Sequence, residues 1–258
     1  MSAAHRAFQL LRTLLGYTWA MVSLIVFIPI GLLTRPFDPR QWVHDRLSTV
    51  WAKGILGFAG ARLEISGQSH VVPGERYVVV ANHQSLLDAM VMVASLQPLT
   101  PVRMMAKRSL FYVPILGWGM RAFGHMPVDH RSMRASLDGL KQAQSTVSLR
   151  GSTVFFPEGT RSPDGQLLPF HNAAFHIAAR AGVRVLPVTL SGSRHILPKS
   201  RTVLVRAGEI QVQIHAPVAM VGQSLDEVRA SSEQVRAIIA SALDPDGPRS
   251  VEAAPAAG

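Results

Sequence analysis

Tyr77–Val91 reads YVVVANHQSLLDAMV, an apolar run that ends at Asn82-His83 and then reaches Asp88. Tyr77 to Ala81 has the β-branched character of a short buried parallel strand. Ser85-x-x-Asp88, ahead of Ala89 to Val93, has the pattern of a capping box opening a helix. The stretch therefore sets a histidine and a carboxylate on a strand-to-helix turn. On one continuous helix, residues five apart point about 140° away from each other, but a histidine two positions before the N-cap can meet a carboxylate in the first turn. A carboxylate holding one imidazole nitrogen leaves the other free to take a proton. A plainer reading uses the same residues: Asp88 closes the capping box on Ser85, favoured by the helix dipole, and His83 is a hydrogen-bonded turn residue. Spacing alone does not choose between the two.

Working outward, strand signals recur at Arg62 to Ser66, Val102 to Ala106, His125 to Val128, Ser152 to Phe156 and Val183 to Leu190, with helical stretches between the later ones. This alternation predicts an α/β layered domain with a largely parallel central sheet flanked by helices. Asp38-Pro39 reads as an N-cap with proline at the first helical position, opening a helix through Trp42, Leu47, Val50, Trp51 and Ile55. Arg131 to Leu149 predicts another helix, Val185 to Val188 a buried strand near the sheet edge because of Pro187, and Thr202–Arg206 with Ile210–His215 a hairpin. Ser224 to Leu243 predicts an amphipathic closing helix, and the Pro-, Ala- and Gly-rich end a disordered tail. The expected division is 1–58 as N-terminal membrane-associated helices, 59–243 as the α/β domain and 244–258 as the tail.

The chain of 258 residues, 48% hydrophobic, is long enough for one large domain with appendages. A formal net charge of +10 points to an anionic partner, which leaves nucleic acid, an anionic lipid surface or a phosphorylated substrate open. The absence of cysteine excludes a disulfide framework, a thiol nucleophile and a thiolate metal site. Between Arg12 and Arg35 lie 22 uncharged residues, about 33 Å as a helix, enough to cross a bilayer core. A membrane is expected, and nucleic acid is not. No small-x-small site follows the apolar run, so an uncleaved segment is expected, either spanning or, given Pro29, lying in the interface. If it spans, Arg35, Arg40, Arg46 and Lys53 outnumber Arg6 and Arg12 and place the domain on the cytoplasmic side of the inner cell membrane.

A second block, Thr153–Ser162, reads TVFFPEGTRS: a strand running into Glu158, Gly159, Thr160 and Arg161. Ligands in α/β sheets bind at the carboxyl ends of strands, glycine allows close backbone approach, and arginine forks suit phosphate oxygens. A solvated turn uses the same residue types. Lys107 follows another strand signal and is a candidate phosphate contact or an exposed basic residue. Arg131 sits at a predicted helix start, where a cation opposes the helix dipole and needs another reason to be there. Gly117–Ala122 fits a dinucleotide-binding spacing without a strand directly before it. The histidine pairs 125/130 and 171/176 lack a metal-ligand pattern, so no metal is expected.

NHQSLLD at Asn82–Asp88, the K-x-x-L-x-x-x-P-x-x-G run from Lys107 to Gly117, P-V-D-H-R ending at Arg131, FPEGTRS at Phe156–Ser162 and LPV at Leu186–Val188 together resemble the glycerolipid acyltransferase family. The likeness covers about residues 60–215 and is strongest to its bacterial 1-acyl-glycerol-3-phosphate acyltransferases. The resemblance implies a membrane-bound enzyme that moves a fatty acyl group from acyl-CoA or acyl carrier protein to the free hydroxyl of a lysophospholipid acceptor, 1-acyl-glycerol-3-phosphate, giving phosphatidate. His83 would be the general base and Asp88 its orienting carboxylate. Glu158, Gly159, Thr160 and Arg161, with Lys107 and Arg131, would bind the glycerol phosphate, and no cofactor beyond the thioester co-substrate is implied. Two departures bear on the acceptor: PFHNAAF at 169–175 stands where the family often has a lysine-rich PFKKGAF, and V-D-H-R stands where I-D-R is more usual. They leave room for another lysolipid acceptor, or for a lipid-binding protein of the same fold without transfer.

Overall fold

The computed structural model describes residues 3–128, 151–199, 205–222 and 224–246. Its strands are β1 (Ala61–Ser66), β2 (Tyr77–Ala81), β3 (Val102–Lys107), β4 (Met126–Val128), β5 (Ser152–Phe155), β6 (Arg184–Ser191) and β7 (Gly208–Ile214). They form one sheet of order β1-β7-β6-β2-β5-β3-β4. β6, β2, β5, β3 and β4 run parallel, while β7 is antiparallel to β6 and parallel to β1. Around the sheet lie α1 (Ala3–Thr34), α2 (Trp42–Ala59), α3 (Leu87–Leu96), α4 (Leu116–Ala122), α5 (Ala173–Ala181), α6 (Ser193–Ile196) and α7 (Leu225–Ala242). The mostly parallel α/β architecture expected from the alternating pattern is the one observed.

β2 explains why the opening stretch is apolar without alternation. Tyr77, Val79 and Ala81 join a core with Ala52 and Leu56 of α2 and Val91, Met92 and Leu96 of α3. Val78 and Val80 join a second core on the other face, with Phe175 and Ile177 of α5 and Val228, Val235 and Ile239 of α7. A strand covered on both faces has no solvent side on which to place polar residues.

Three local expectations are corrected. The helix after Asp38-Pro39 starts at Trp42 rather than Pro39, because a turn closed by Gln41 N–H on the Asp38 carbonyl comes first and Gln41 takes a left-handed φ of 58°. Asp38 still caps it, its carboxylate accepting the N–H groups of Trp42 and Val43 at 2.9 and 2.7 Å. Only half of the Ser85/Asp88 capping box forms: Asp88 accepts the Ser85 N–H, but the Ser85 hydroxyl accepts the Leu87 N–H while donating to the Leu197 carbonyl, and the Asp88 N–H goes to the Ser85 carbonyl. Of the predicted hairpin, residues 202–204 are outside those described, and β7 itself pairs with β1 and β6. Pro187 lies inside the sheet, not near its edge. Its carbonyl accepts from His215 N–H just past the last β6–β7 pair, so the missing donor falls on that side and costs the β2 ladder nothing. The Ser224 capping box with Glu227 forms as its sequence suggests. The predicted helix 131–149, residues 202–204 and the tail from 247 lie outside the described residues.

α1 and α2 form a close helical hairpin. Trp19 and Trp51 each donate an indole N–H to a backbone carbonyl of the other helix, Trp51 and Ala20, at 3.2 and 3.1 Å. Gly54 makes this approach possible, because a Cβ there would stand 2.1 Å from the Trp19 indole nitrogen. α1 is long and apolar enough to cross a membrane by length and composition, and it leaves Phe8, Leu11, Leu14, Val22, Ile25 and Leu33 exposed. α2 is keyed to the sheet by a buried ion pair, Arg103 Nη1 to Asp45 Oδ1 at 2.8 Å, with Arg103 Nη2 donating to Gln41 Oε1 at 2.7 Å. Removing one partner leaves a buried charge uncompensated. Asp45→Ala should therefore lose about 3 kcal/mol of stability, seen as a lower unfolding midpoint of the detergent-purified chain, whereas Asp45→Ala with Arg103→Met should recover much of it.

Candidate active site

His83 stands where β2 runs out, and its position is set before its side chain is considered. Asn82 places its amide against β6, Nδ2 donating to the Leu190 carbonyl and Oδ1 accepting the Leu190 N–H, both at 2.8 Å. The side chain thus imitates one more rung of the ladder as the backbone leaves the sheet. The next residue is clamped on both sides of its own backbone. His83 N–H donates to Glu158 Oε1 at 2.7 Å, and the His83 carbonyl accepts the Ser162 N–H at 2.7 Å.

The imidazole is fixed as firmly. Its Nδ1 lies 2.8 Å from Asp88 Oδ2, and the same oxygen accepts the N–H groups of Gln84 and Ser85 at 2.6 and 2.7 Å. Asp88 is fully buried, while the His83 side chain keeps 18% of its surface exposed. A carboxylate oxygen that already accepts two backbone N–H groups takes a third, so Nδ1 carries a proton, and in the neutral imidazole Nε2 keeps its lone pair. Phe156 stacks on the ring, centroids 4.2 Å apart and planes 15° from parallel. Asp88 closes half a cap and holds the imidazole together, so the two readings left open by spacing coexist in one carboxylate.

The FPEGTRS block is the other half of this turn. Glu158 is 5% exposed, and its second oxygen accepts the Leu168 N–H at 3.0 Å. Burial pushes its pKa up to about 7 against the pull of its two backbone bonds. Each oxygen thus accepts one backbone N–H, and the carboxylate braces the histidine turn. Gly159 has φ +68°, and a Cβ there would stand 3.2 Å from the His171 ring. Thr160 is exposed and Arg161 half-buried. Lys107 ends β3 and is exposed; its strand is separated from β2 only by β5, on the same carboxyl edge, about 10 Å across at ~4.8 Å per strand. Arg131 lies outside the described residues. His125 is a half-buried acceptor for the Met104 N–H at 3.1 Å, and desolvation takes its pKa down to about 3.

The structure thus brings His83, Asp88 and the 158–161 turn into one constellation, with Lys107 on its rim. Sequence reasoning missed Asn82, Phe156 and Ser162 as positioning groups, and it did not foresee that Glu158 holds the backbone of His83. Asn82 sat in the opening stretch, but nothing there announces a partner 108 residues away.

A family model described as Acyltransferase matches residues 62–191, which contain the whole of this constellation. The chain belongs to the acyltransferase family. It is 34% identical over 205 residues to a chloroplastic 1-acyl-sn-glycerol-3-phosphate acyltransferase of Brassica napus, covering 77% of this chain and 58% of that one. The chain therefore spans little more than half the length of that relative. Against the 1-acyl-sn-glycerol-3-phosphate acyltransferase alpha of Mus musculus it is 32% identical over 220 residues, covering 84% of this chain and 75% of that one. The crystal structure of the 1-acyl-sn-glycerophosphate (LPA) acyltransferase PlsC from Thermotoga maritima superposes with a TM-score of 0.77 at 25% identity, over 92% of this chain and 95% of that one.

Glu158 offers a test of the clamp. Its folded pKa is raised above the ordinary 4.5, so its contribution to stability is present below about pH 4.5 and is lost as pH rises through about 7. Glu158→Gln should flatten that part of the stability-versus-pH profile. An amide must also turn an N–H toward one of the two backbone donors, so kcat should fall about 10²-fold with a smaller change in KM. Unfolding midpoints from pH 4.5 to 8 and steady-state kinetics of acyl transfer measure the two effects.

Proposed function

We propose that this acyltransferase-family protein moves a fatty acyl group from an acyl thioester, acyl-CoA or acyl carrier protein, to the free hydroxyl of 1-acyl-glycerol-3-phosphate, giving phosphatidate. The observation that carries the proposal is the 2.8 Å contact between His83 Nδ1 and Asp88 Oδ2 on a turn whose backbone is clamped from both sides. The names of the relatives in Brassica napus and Mus musculus support the acceptor class.

His83 Nε2 takes the proton of the acceptor hydroxyl as that oxygen attacks the thioester carbonyl. Asp88 stabilises the imidazolium that forms, without taking the proton itself. The tetrahedral intermediate collapses, the C–S bond breaks, and the imidazolium returns the proton to the leaving thiolate. No covalent acyl-enzyme is needed. Gly159, Thr160 and Arg161 receive the glycerol phosphate, with Lys107 and Arg131 adding positive charge, and Glu158 acts through the histidine turn.

Substrate and product are both lipids, and the catalytic edge has an apolar rim: Leu86, Leu110, Tyr112 and Trp118 are exposed. α4 there packs on α1, with Gly119 set against Leu24 and Ile28. This surface supports a chain that sits at an inner-membrane bilayer through α1, its catalytic edge on the cytoplasmic side where acyl thioesters are available. His83→Ala should lower turnover by about 10³-fold or more without detaching the protein from membranes. Release of free CoA thiol from acyl-CoA in the presence of 1-acyl-glycerol-3-phosphate measures it, and near-native turnover in that variant would overturn the mechanism.

A further inference from the structure

The connection that follows α6 touches both halves of the catalytic turn within three residues. The Leu197 carbonyl accepts the Ser85 hydroxyl at 2.7 Å. Two residues on, Lys199 Nζ donates to the Arg161 carbonyl at 2.6 Å and to Thr160 Oγ1 at 3.2 Å. Lys199 belongs to none of the sequence blocks that pointed to the site. It is exposed, and an exposed lysine gives up rotamer freedom when pinned to one turn, so something at that turn must favour it. Its ammonium has three donors, of which these contacts use two.

Charge makes the placement informative. Lys199 and Arg161 are two cations on one turn, one residue of backbone away from the Ser162 N–H that holds His83. Neither has a carboxylate partner among the described residues. The neighbouring side chain from the 169–175 segment, laid against Gly159, is the His171 imidazole and not a lysine. Two cationic side chains brought to one turn repel each other less when they share an anion, and a phosphate monoester dianion offers three oxygens to share.

We propose that Lys199 is a head-group-binding residue of the acceptor site, paired with Arg161, and that it gives the site its preference for a phosphate monoester. The third ammonium proton and the Arg161 guanidinium meet the phosphate while the Arg161 carbonyl and Thr160 keep the lysine aimed. This inference rests on the acyl-transfer reading above and assigns the specificity of that same site to a residue outside its sequence blocks.

The test uses the full chain in detergent, with acyl-CoA as donor and 1-acyl-glycerol-3-phosphate as acceptor. Lys199→Met should raise the acceptor KM about tenfold and weaken competitive inhibition by glycerol 3-phosphate by a similar factor, while kcat stays within about twofold and the donor KM does not move. Lys199→Arg should restore most of the acceptor affinity. An unmoved acceptor KM in Lys199→Met overturns the assignment. So does a loss in kcat shared with the donor KM, which marks a lysine that only braces the turn. A wild-type chain that does not acylate 1-acyl-glycerol-3-phosphate removes the acyl-transfer reading, and this assignment falls with it. A wild-type chain that acylates it while Lys199→Met behaves identically removes this assignment alone.

Discussion

The chemistry of this fold hangs on the backbone of one residue. His83 gives its N–H to a buried carboxylate of the 156–162 block and its carbonyl accepts an N–H from the same block, so two segments 75 residues apart in sequence become one rigid turn. With the backbone held, Asp88 and Phe156 have only the imidazole left to aim, one from its Nδ1 edge and one from its face. An imidazole held in this way keeps one orientation, which is what the proposed general-base role requires. The cost is carried by Glu158, whose burial raises its pKa into the neutral range.

The parallel sheet is what makes that clamp possible. β2 and β5 are neighbours in register, Val80 beside Phe155, so the segments that continue past their carboxyl ends emerge side by side. β6 on the other flank of β2 supplies the Leu190 peptide for Asn82 and leads to the connection that carries Leu197 and Lys199. Ligand groups collect at this edge because parallel strands deliver their turns to one side of the sheet.

The N-terminal helices are joined to this edge by specific polar contacts rather than by a free linker. Arg103 on β3 reaches Asp45 and Gln41 at the start of α2, and α2 also shares a core with β2 and α3. A buried ion pair adds little net stability, but it permits few alternative dockings, so it fixes the orientation of the helix hairpin on the sheet. The apolar side of α1 and the exposed Tyr112 and Trp118 then frame the catalytic edge together.

The sequence by itself determined what short-range physics controls. A β-branched run too apolar for a half-exposed strand meant two covered faces, and strand signals alternating with helical stretches meant a mostly parallel sheet. An uncharged run of 22 residues meant a long apolar helix. It also marked His83, Asp88 and the 158–161 turn as chemistry-bearing, since strand ends and helix starts are written in local residue types. Tertiary structure alone decided which of these residues bond to one another. Glu158 gives no sign in the sequence that its oxygens accept backbone N–H groups from two other segments. Asn82 looks like an ordinary turn residue until β6 lies beside it, and Lys199 carries no local signal at all. The physical reason is that hydrogen bonds between distant segments depend on strand order and register, and the order β1-β7-β6-β2-β5-β3-β4 is set by how whole faces pack, a property no single stretch of the chain contains.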